Sequence, residues 1–194
     1  MTKKLKREDI MDMIAYGKVR KERRQIITEK KKSRRLSVGP DATCYFESYE
    51  TMWHQIHEML FIEKGGEEQI EDEINAYAPL VPNGRELVMT LMFEVDDPSR
   101  RAALLSGLGG VENTMKITVG DHVIKGVPEE DIDRTSAKGK ASAIQFLHFP
   151  FSDQQISEFR DPKNTVMISI NHSKYGHIAI VPENIRVALS SDFD

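Results

Sequence analysis

YFESYETMWHQIHEMLFIE, residues 45–63, carries the clearest periodicity in the chain. With Ile56 at the centre of a helical wheel, Tyr49, Met52, Trp53, Met59 and Leu60 fall on the same side, three and four residues apart. That spacing predicts an amphipathic helix. The only tryptophan, Trp53, sits in the middle of this face, which makes the stretch the expected main helix of the core. The opposite face holds Glu47, Thr51, His54 and Glu58, with Gln55 and His57 on its flanks. No Lys or Arg occurs between Arg35 and Lys64. A solvated helix face ordinarily mixes both signs of charge, so a face of carboxylates, imidazoles and an amide reads as a candidate polar site.

Working outward, the 194 residues suit one domain. With 39% hydrophobic and 30% charged residues the composition is that of a water-soluble globular chain. The single cysteine, Cys44, rules out an intrachain disulfide and a Cys-based zinc site, and suits a reducing cytoplasm. Beside Tyr45 and Phe46 it reads as a small buried hydrophobe. No apolar run follows the charged start, so no secretory leader is expected, and no stretch reaches the length of a membrane span. The net charge of −4 hides an asymmetry. Residues 1–40 carry 14 Lys/Arg against 5 Asp/Glu, and the remainder 13 against 26. A basic N-terminal helical arm with a short strand, residues 1–40, is therefore expected to precede a single α+β domain over residues 41–194. The arm can dock on the acidic body or on an acidic partner such as nucleic acid.

Residues 8–32 read as a mostly polar helix and 34–39 as a short strand, with 41–44 leading into the central helix. Gly65-Gly66 ends that helix, and a second one runs over residues 67–77. Residues 85–95 alternate Leu87, Met89, Leu91, Phe93 and Val95 with other types, the period of a strand with one buried face. A helix opens at Asp97-Pro98, and Gly120-Asp121 joins a hairpin. Residues 128–140 read as an exposed loop and 141–149 as a strand. Ser152 and Gln155 form a capping box. A strand over 165–172 and a helix after Pro182 complete a mostly antiparallel sheet with the long amphipathic helix packed on one face, an α+β fold.

Chemistry concentrates on the central helix. His54, His57 and Glu58 are spaced as helix-borne metal ligands can be, so a bound metal ion is a candidate cofactor, with His148 and His172 as further imidazoles. The alternative is an exposed His54–Glu58 pair with His57 at the core edge. Arg20, Arg23, Arg24, Lys32, Arg34 and Arg35 form a basic patch. It lacks interleaved aromatics and accompanies no nucleic-acid-binding motif, so no nucleic-acid binding is expected at physiological salt.

Several spaced residues also carry a likeness. They are Arg20, Arg24, Lys32, Arg34, Arg35 and Gly39, then Phe46-Glu47, Thr51, Gln55-Ile56-x-Glu58-Met59 and EINAYAPLVP at 73–82. Thr90, Glu94 and Asn171-His172-x-x-Tyr175 follow. Over nearly its whole length the chain resembles a bacterial family of unknown function, domain-of-unknown-function family 3501. The resemblance implies a role accessory to redox or peroxide-defence metabolism, with a rubrerythrin-like or iron–sulfur oxidoreductase as partner. Its pattern runs through Glu47, Thr51, Gln55 and Glu58 and leaves the positions of His54 and His57 free; a site built on those residues would take His172 to complete it. Three readings stay open: an accessory protein or small enzyme with a polar pocket on the central helix, a nucleic-acid or acidic-partner binding module using the arm, and a structural adaptor for an oxidoreductase.

Overall fold

The computed structural model describes residues 4–129 and 140–194. Among the described residues nine strands form two antiparallel sheets. The five-stranded sheet runs β1 (Arg35–Val38), β2 (Ala42–Phe46), β3 (Glu86–Phe93), β7 (Ile144–Pro150) and β6 (Val127–Pro128) in spatial order. The four-stranded sheet runs β5 (His122–Lys125), β4 (Met115–Val119), β8 (Val166–His172) and β9 (Tyr175–Ile180). Six α-helices accompany them among the described residues: α1 (Met13–Lys32), α2 (Tyr49–Glu63), α3 (Gly66–Tyr77), α4 (Pro98–Ser106), α5 (Asp153–Arg160) and α6 (Glu183–Ser190). The fold is α+β, as the interleaving of periods predicts.

The alternation in β3 is the key to the layering. Leu87, Met89, Leu91 and Phe93 project into a core shared with the second sheet, where they join Ile117, Ile168 and Ile170. Phe159 of α5 and Leu189 of α6 close that core. Val88, on the other face of β3, meets Met52, Ile56 and Leu60 of α2 in a second core, with Leu5, Ile10, Ile70 and Leu80. A strand buried on both faces thus separates two apolar clusters, and α2 lies on the outer face of the five-stranded sheet.

A tyrosine joins the sheets at one edge. The Tyr175 hydroxyl accepts from the Asp41 and Ala42 N–H groups at 2.9 Å each and donates to the Val38 carbonyl at 3.0 Å. This fixes the β1–β2 turn against β9. Gly39, in that turn at φ 77°, leaves no room for a side chain: a Cβ would fall 2.6 Å from the His177 ring.

The structure corrects several expectations. The central helix begins at Tyr49, because Ser48 and Thr51 form a capping box there and residues 42–46 are a strand with Ala42, Cys44 and Phe46 turned inward. Glu47 therefore lies in the strand–helix link, off the helical stripe. The buried face of α2 is centred on Ile56, but Trp53 is only half-buried at its flank, while His57 is wholly buried rather than at the core edge. The left-handed residue ending α2 is Lys64, at φ 58°, not a glycine. Strand β9 went unforeseen. The loop expected at 128–140 falls mostly on residues 130–139, outside the described residues. The capping box at Ser152 and Gln155 is present, with contacts of 3.3 and 2.9 Å.

Candidate functional site around the central helix

Helix α1 packs along α2, and the contact is polar at its centre. Arg20 of α1 grips Glu58 with Nε and Nη2 at 2.9 and 2.8 Å, and the Tyr16 hydroxyl donates to the same carboxylate at 2.8 Å. The guanidinium beside it holds the Glu58 carboxyl down at about 2, against the opposing effect of burial. Burial, and the bond to Glu58, push the Tyr16 phenol well above its ordinary value. His54 Nδ1 lies 3.3 Å from the Tyr16 oxygen. Since Tyr16 gives its proton to Glu58, His54 Nδ1 must carry the hydrogen in that contact, which leaves Nε2 as the acceptor of the ring. Burial holds the His54 pKa below its ordinary value.

His57 is fastened differently. Its Nδ1 donates to the Trp53 carbonyl at 2.6 Å, and its Nε2 accepts from the Met11 N–H at 3.0 Å. Both ring nitrogens are used, the tautomer is fixed, and desolvation brings the pKa down to about 4. The indole N–H of Trp53 donates to the Asp9 carbonyl at 2.8 Å, and the Trp53 and His57 rings lie 3.7 Å apart. Together these groups bind the segment before α1 to the central helix.

Glu47 forms a third cluster. Its two oxygens accept from the Thr51 and Thr90 hydroxyls, each at 2.7 Å. Thr90 belongs to β3, so this buried carboxylate ties helix α2 to the sheet. Neither Arg nor Lys reaches its oxygens among the described residues.

The expected site residues therefore separate. Glu47 and Thr51 meet at the sheet, with Thr90 as the partner named by the likeness. Glu58 meets Arg20 on the α1 side. Gln55 is half-buried and makes no side-chain hydrogen bond among the described residues. His172 stands at the β8–β9 hairpin of the other sheet, where its Nδ1 accepts from the Lys174 N–H at 3.2 Å. The suggested metal set of His54, His57 and Glu58 does not converge: His57 and Glu58 spend their lone pairs on protein partners. Among the described residues no cluster of three or more His, Cys, Asp or Glu side chains is placed to hold a metal.

The basic patch also divides. Arg34 is buried, bonding the Phe46 and Glu47 carbonyls at 3.0 and 2.7 Å and pairing with Asp192. Lys32 pairs with Glu29, and Arg23 lies 5.3 Å over the Trp53 ring. Arg24 and Arg35 are exposed.

Two sets of contacts have no signal in the sequence: those of Tyr16 and the carboxylate partners of His148. Nothing in the spacing of Tyr16 along α1 signals its contact with Glu58. His148 lies between Glu86 at 3.0 Å and Glu129 at 2.7 Å, and these carboxylates raise its pKa. Its partners come from β3 and from the residue after β6, a convergence that only the sheet order creates.

Beside the Tyr16–Glu58 contact, α1 and α2 part to form a cleft of about 470 Å³. Arg23, Ile26, Ile27 and Lys30 line it from α1, and Tyr49, Glu50, Trp53 and His54 from α2. Lys30 and Glu50 neutralise each other at 2.8 Å, whereas Arg23 makes no ion pair among the described residues.

The family described as Protein of unknown function (DUF3501) matches residues 4–193. The chain belongs to this family. A crystal structure from Burkholderia pseudomallei K96243, solved at 1.90 Å and described as a novel protein of unknown function, is 32% identical. It superposes with a TM-score of 0.91 over 99% of this chain and 100% of that one. No functionally curated protein matches. The residues that carry the likeness to DUF3501 largely pair with one another here: Arg20 with Glu58, Thr51 and Thr90 with Glu47, and Gly39 beside Tyr175. No described helix is long and apolar enough to cross a membrane.

Proposed function

We propose that this DUF3501 protein is an accessory binding protein of redox or peroxide-defence metabolism, and that its binding site is the α1–α2 cleft on the central helix. The observation that carries this reading is the contrast between spent and unspent polar groups. His57 uses both ring nitrogens, Glu58 both oxygens and Glu47 both oxygens within the fold. The Cys44 thiol is buried, and its pKa is pushed up to about 12, far from the thiolate chemistry of a redox cysteine. At the cleft, by contrast, Arg23 and His54 stand beside an apolar wall, and neither the Arg23 guanidinium nor the His54 Nε2 has a hydrogen-bond partner among the described residues, the pattern of a small-ligand pocket. A rubrerythrin-like or iron–sulfur partner suits the same accessory role. The exposed side of α1, with Lys18, Lys21, Arg24 and Lys31, offers it an electropositive surface.

Trp53 is the only tryptophan, so its fluorescence reports on one wall of the cleft. A thermal-shift screen against a metabolite library, read together with Trp53 emission, is expected to yield compounds that change both. A library that raises stability without touching Trp53, or that does neither, would count against the cleft as the site.

A further inference from the structure

We infer that the α1–α2 cleft takes an aromatic carboxylic acid bearing a ring hydroxyl, the carboxylate on Arg23 and the hydroxyl on His54. This deepens the binding-site reading above and rests on it.

The carboxylate half follows from charge. Lys30 and Glu50 cancel at the rim, and Arg23 is the cleft cation without a carboxylate of its own among the described residues. Its guanidinium is held over the indole of Trp53, so its direction is already restricted before a ligand arrives. A planar fork held this way matches the two oxygens of a carboxylate.

The hydroxyl half follows from a proton count. Glu58 takes the Tyr16 proton, so the Tyr16 oxygen accepts from His54 Nδ1–H, and the unprotonated Nε2 remains. An unprotonated imidazole nitrogen at a cleft wall accepts a hydrogen bond. It selects a ligand that donates one, which a carboxylate alone cannot do.

The aromatic body follows from the walls. The indole N–H is already given to Asp9, so Trp53 offers the cleft carbon only. Ile27 is buried at the base and Ile26 is half-exposed at the edge, an apolar surface that water covers when no ligand does. A space of about 470 Å³ lies within the range of small-molecule sites. A cleft of about 650 Å³ at the meeting of α1, α2 and α3 is lined by Met11, Met13, Leu60 and Ile70, and of its charged residues Arg7 pairs with Glu67 and Asp12 caps α1.

The test is titration of the purified protein with para-hydroxybenzoate, followed by Trp53 fluorescence and by calorimetry. Saturable binding is expected. Benzoate, lacking the hydroxyl, and para-hydroxybenzyl alcohol, lacking the charge, should each bind about tenfold more weakly. Arg23→Gln should weaken para-hydroxybenzoate by about tenfold while leaving the melting temperature in place, since Arg23 is exposed. His54→Phe should abolish the preference over benzoate without abolishing benzoate binding. Equal affinity for all three probes, or an Arg23→Gln variant that binds as the parent does, overturns the inference. If para-hydroxybenzoate is silent while another library compound saturates Trp53 emission, the ligand class is wrong and the cleft reading stands. If every compound is silent, both fall.

Discussion

The two faces of β3 are held by different means. Toward the second sheet, Leu87, Met89, Leu91 and Phe93 join the large apolar cluster of the sandwich, with the uncharged amide of Gln145 opposite Leu91. Toward the helices, Val88 contributes to a smaller apolar cluster, and the layer is completed by polar fastenings: Thr90 and Thr51 on Glu47, His57 on Met11, Trp53 on Asp9, Arg20 and Tyr16 on Glu58. The first face stabilises by area removed from water and is indifferent to pH. The second stabilises by directional contacts, several of which involve groups that titrate. The helical layer is thus the part of the molecule whose stability can be set by its surroundings, and the candidate binding cleft lies in it.

Truncation in the sandwich core is expected to have the largest effect. Phe149 of β7 is fully buried there, and Phe149→Ala should destabilise by about 3–5 kcal/mol through lost transfer energy and an unfilled cavity. Denaturant unfolding checks it, and the same loss should be found at every pH where the native state persists. A strong pH dependence would contradict the separation of the two faces.

Next in size is His57. His57→Phe keeps a ring of similar shape but removes an acceptor from the Met11 N–H and a donor from the Trp53 carbonyl, at a cost of about 1–3 kcal/mol. The loss should be local. Hydrogen exchange should quicken over residues 5–12 and leave β3 protected. Uniform acceleration across both faces would show that the segment before α1 is not separately fastened.

These fastenings also explain what could be read in advance. The period of two in residues 85–95 and the three-and-four spacing around Ile56 are one-dimensional records of burial, and both led to the right elements. The start of α2 was misplaced because the Tyr45-Phe46 pair continues the apolar pattern of the helix backward through a strand. The capping box at Ser48 was the better marker, since it records a backbone N–H that must find a partner. The candidate site was legible only as residue types. Whether Glu47 faced a cation or two hydroxyls depended on Thr90, which lies 43 positions away. The role of His57 depended on a backbone N–H at Met11, which has no signature in the sequence at all.

Two histidines let pH separate the regions further. His57 has a folded pKa of about 4, below its unfolded value near 6.5, so the unfolded chain binds the extra proton between them. Its contribution is complete above about pH 6.5 and is lost as pH falls toward 4, on the order of 3 kcal/mol in all. His148, between Glu86 and Glu129, has a raised folded pKa. Its contribution is complete below its unfolded pKa near 6.5 and is lost as pH rises through the folded value. His57→Phe should flatten the acid limb of the stability profile, and His148→Gln the limb above neutrality. Interchanged effects in urea unfolding across pH would refute both assignments.

The smallest effect is expected where a polar contact of the helical layer is solvated. Arg7 and Glu67 join the segment before α1 to α3 at 2.6 Å, a shorter contact than either Arg20–Glu58 bond. Distance alone would rank it first. Their side chains, however, are 48% and 79% exposed, against 27% and 16% for Arg20 and Glu58. Water and salt screen the exposed pair, and two long side chains must give up rotamer freedom to make it. A double-mutant cycle with Arg7→Ala and Glu67→Ala should return a coupling below about 0.5 kcal/mol, falling further with added salt. The same cycle on Arg20 and Glu58 should give a larger coupling that salt reduces less, because that carboxylate also holds Tyr16 and sits between two helices. Equal couplings, equally sensitive to salt, would mean that burial does not distinguish the two contacts, and that the polar fastening of α1 to α2 is no firmer than a surface ion pair.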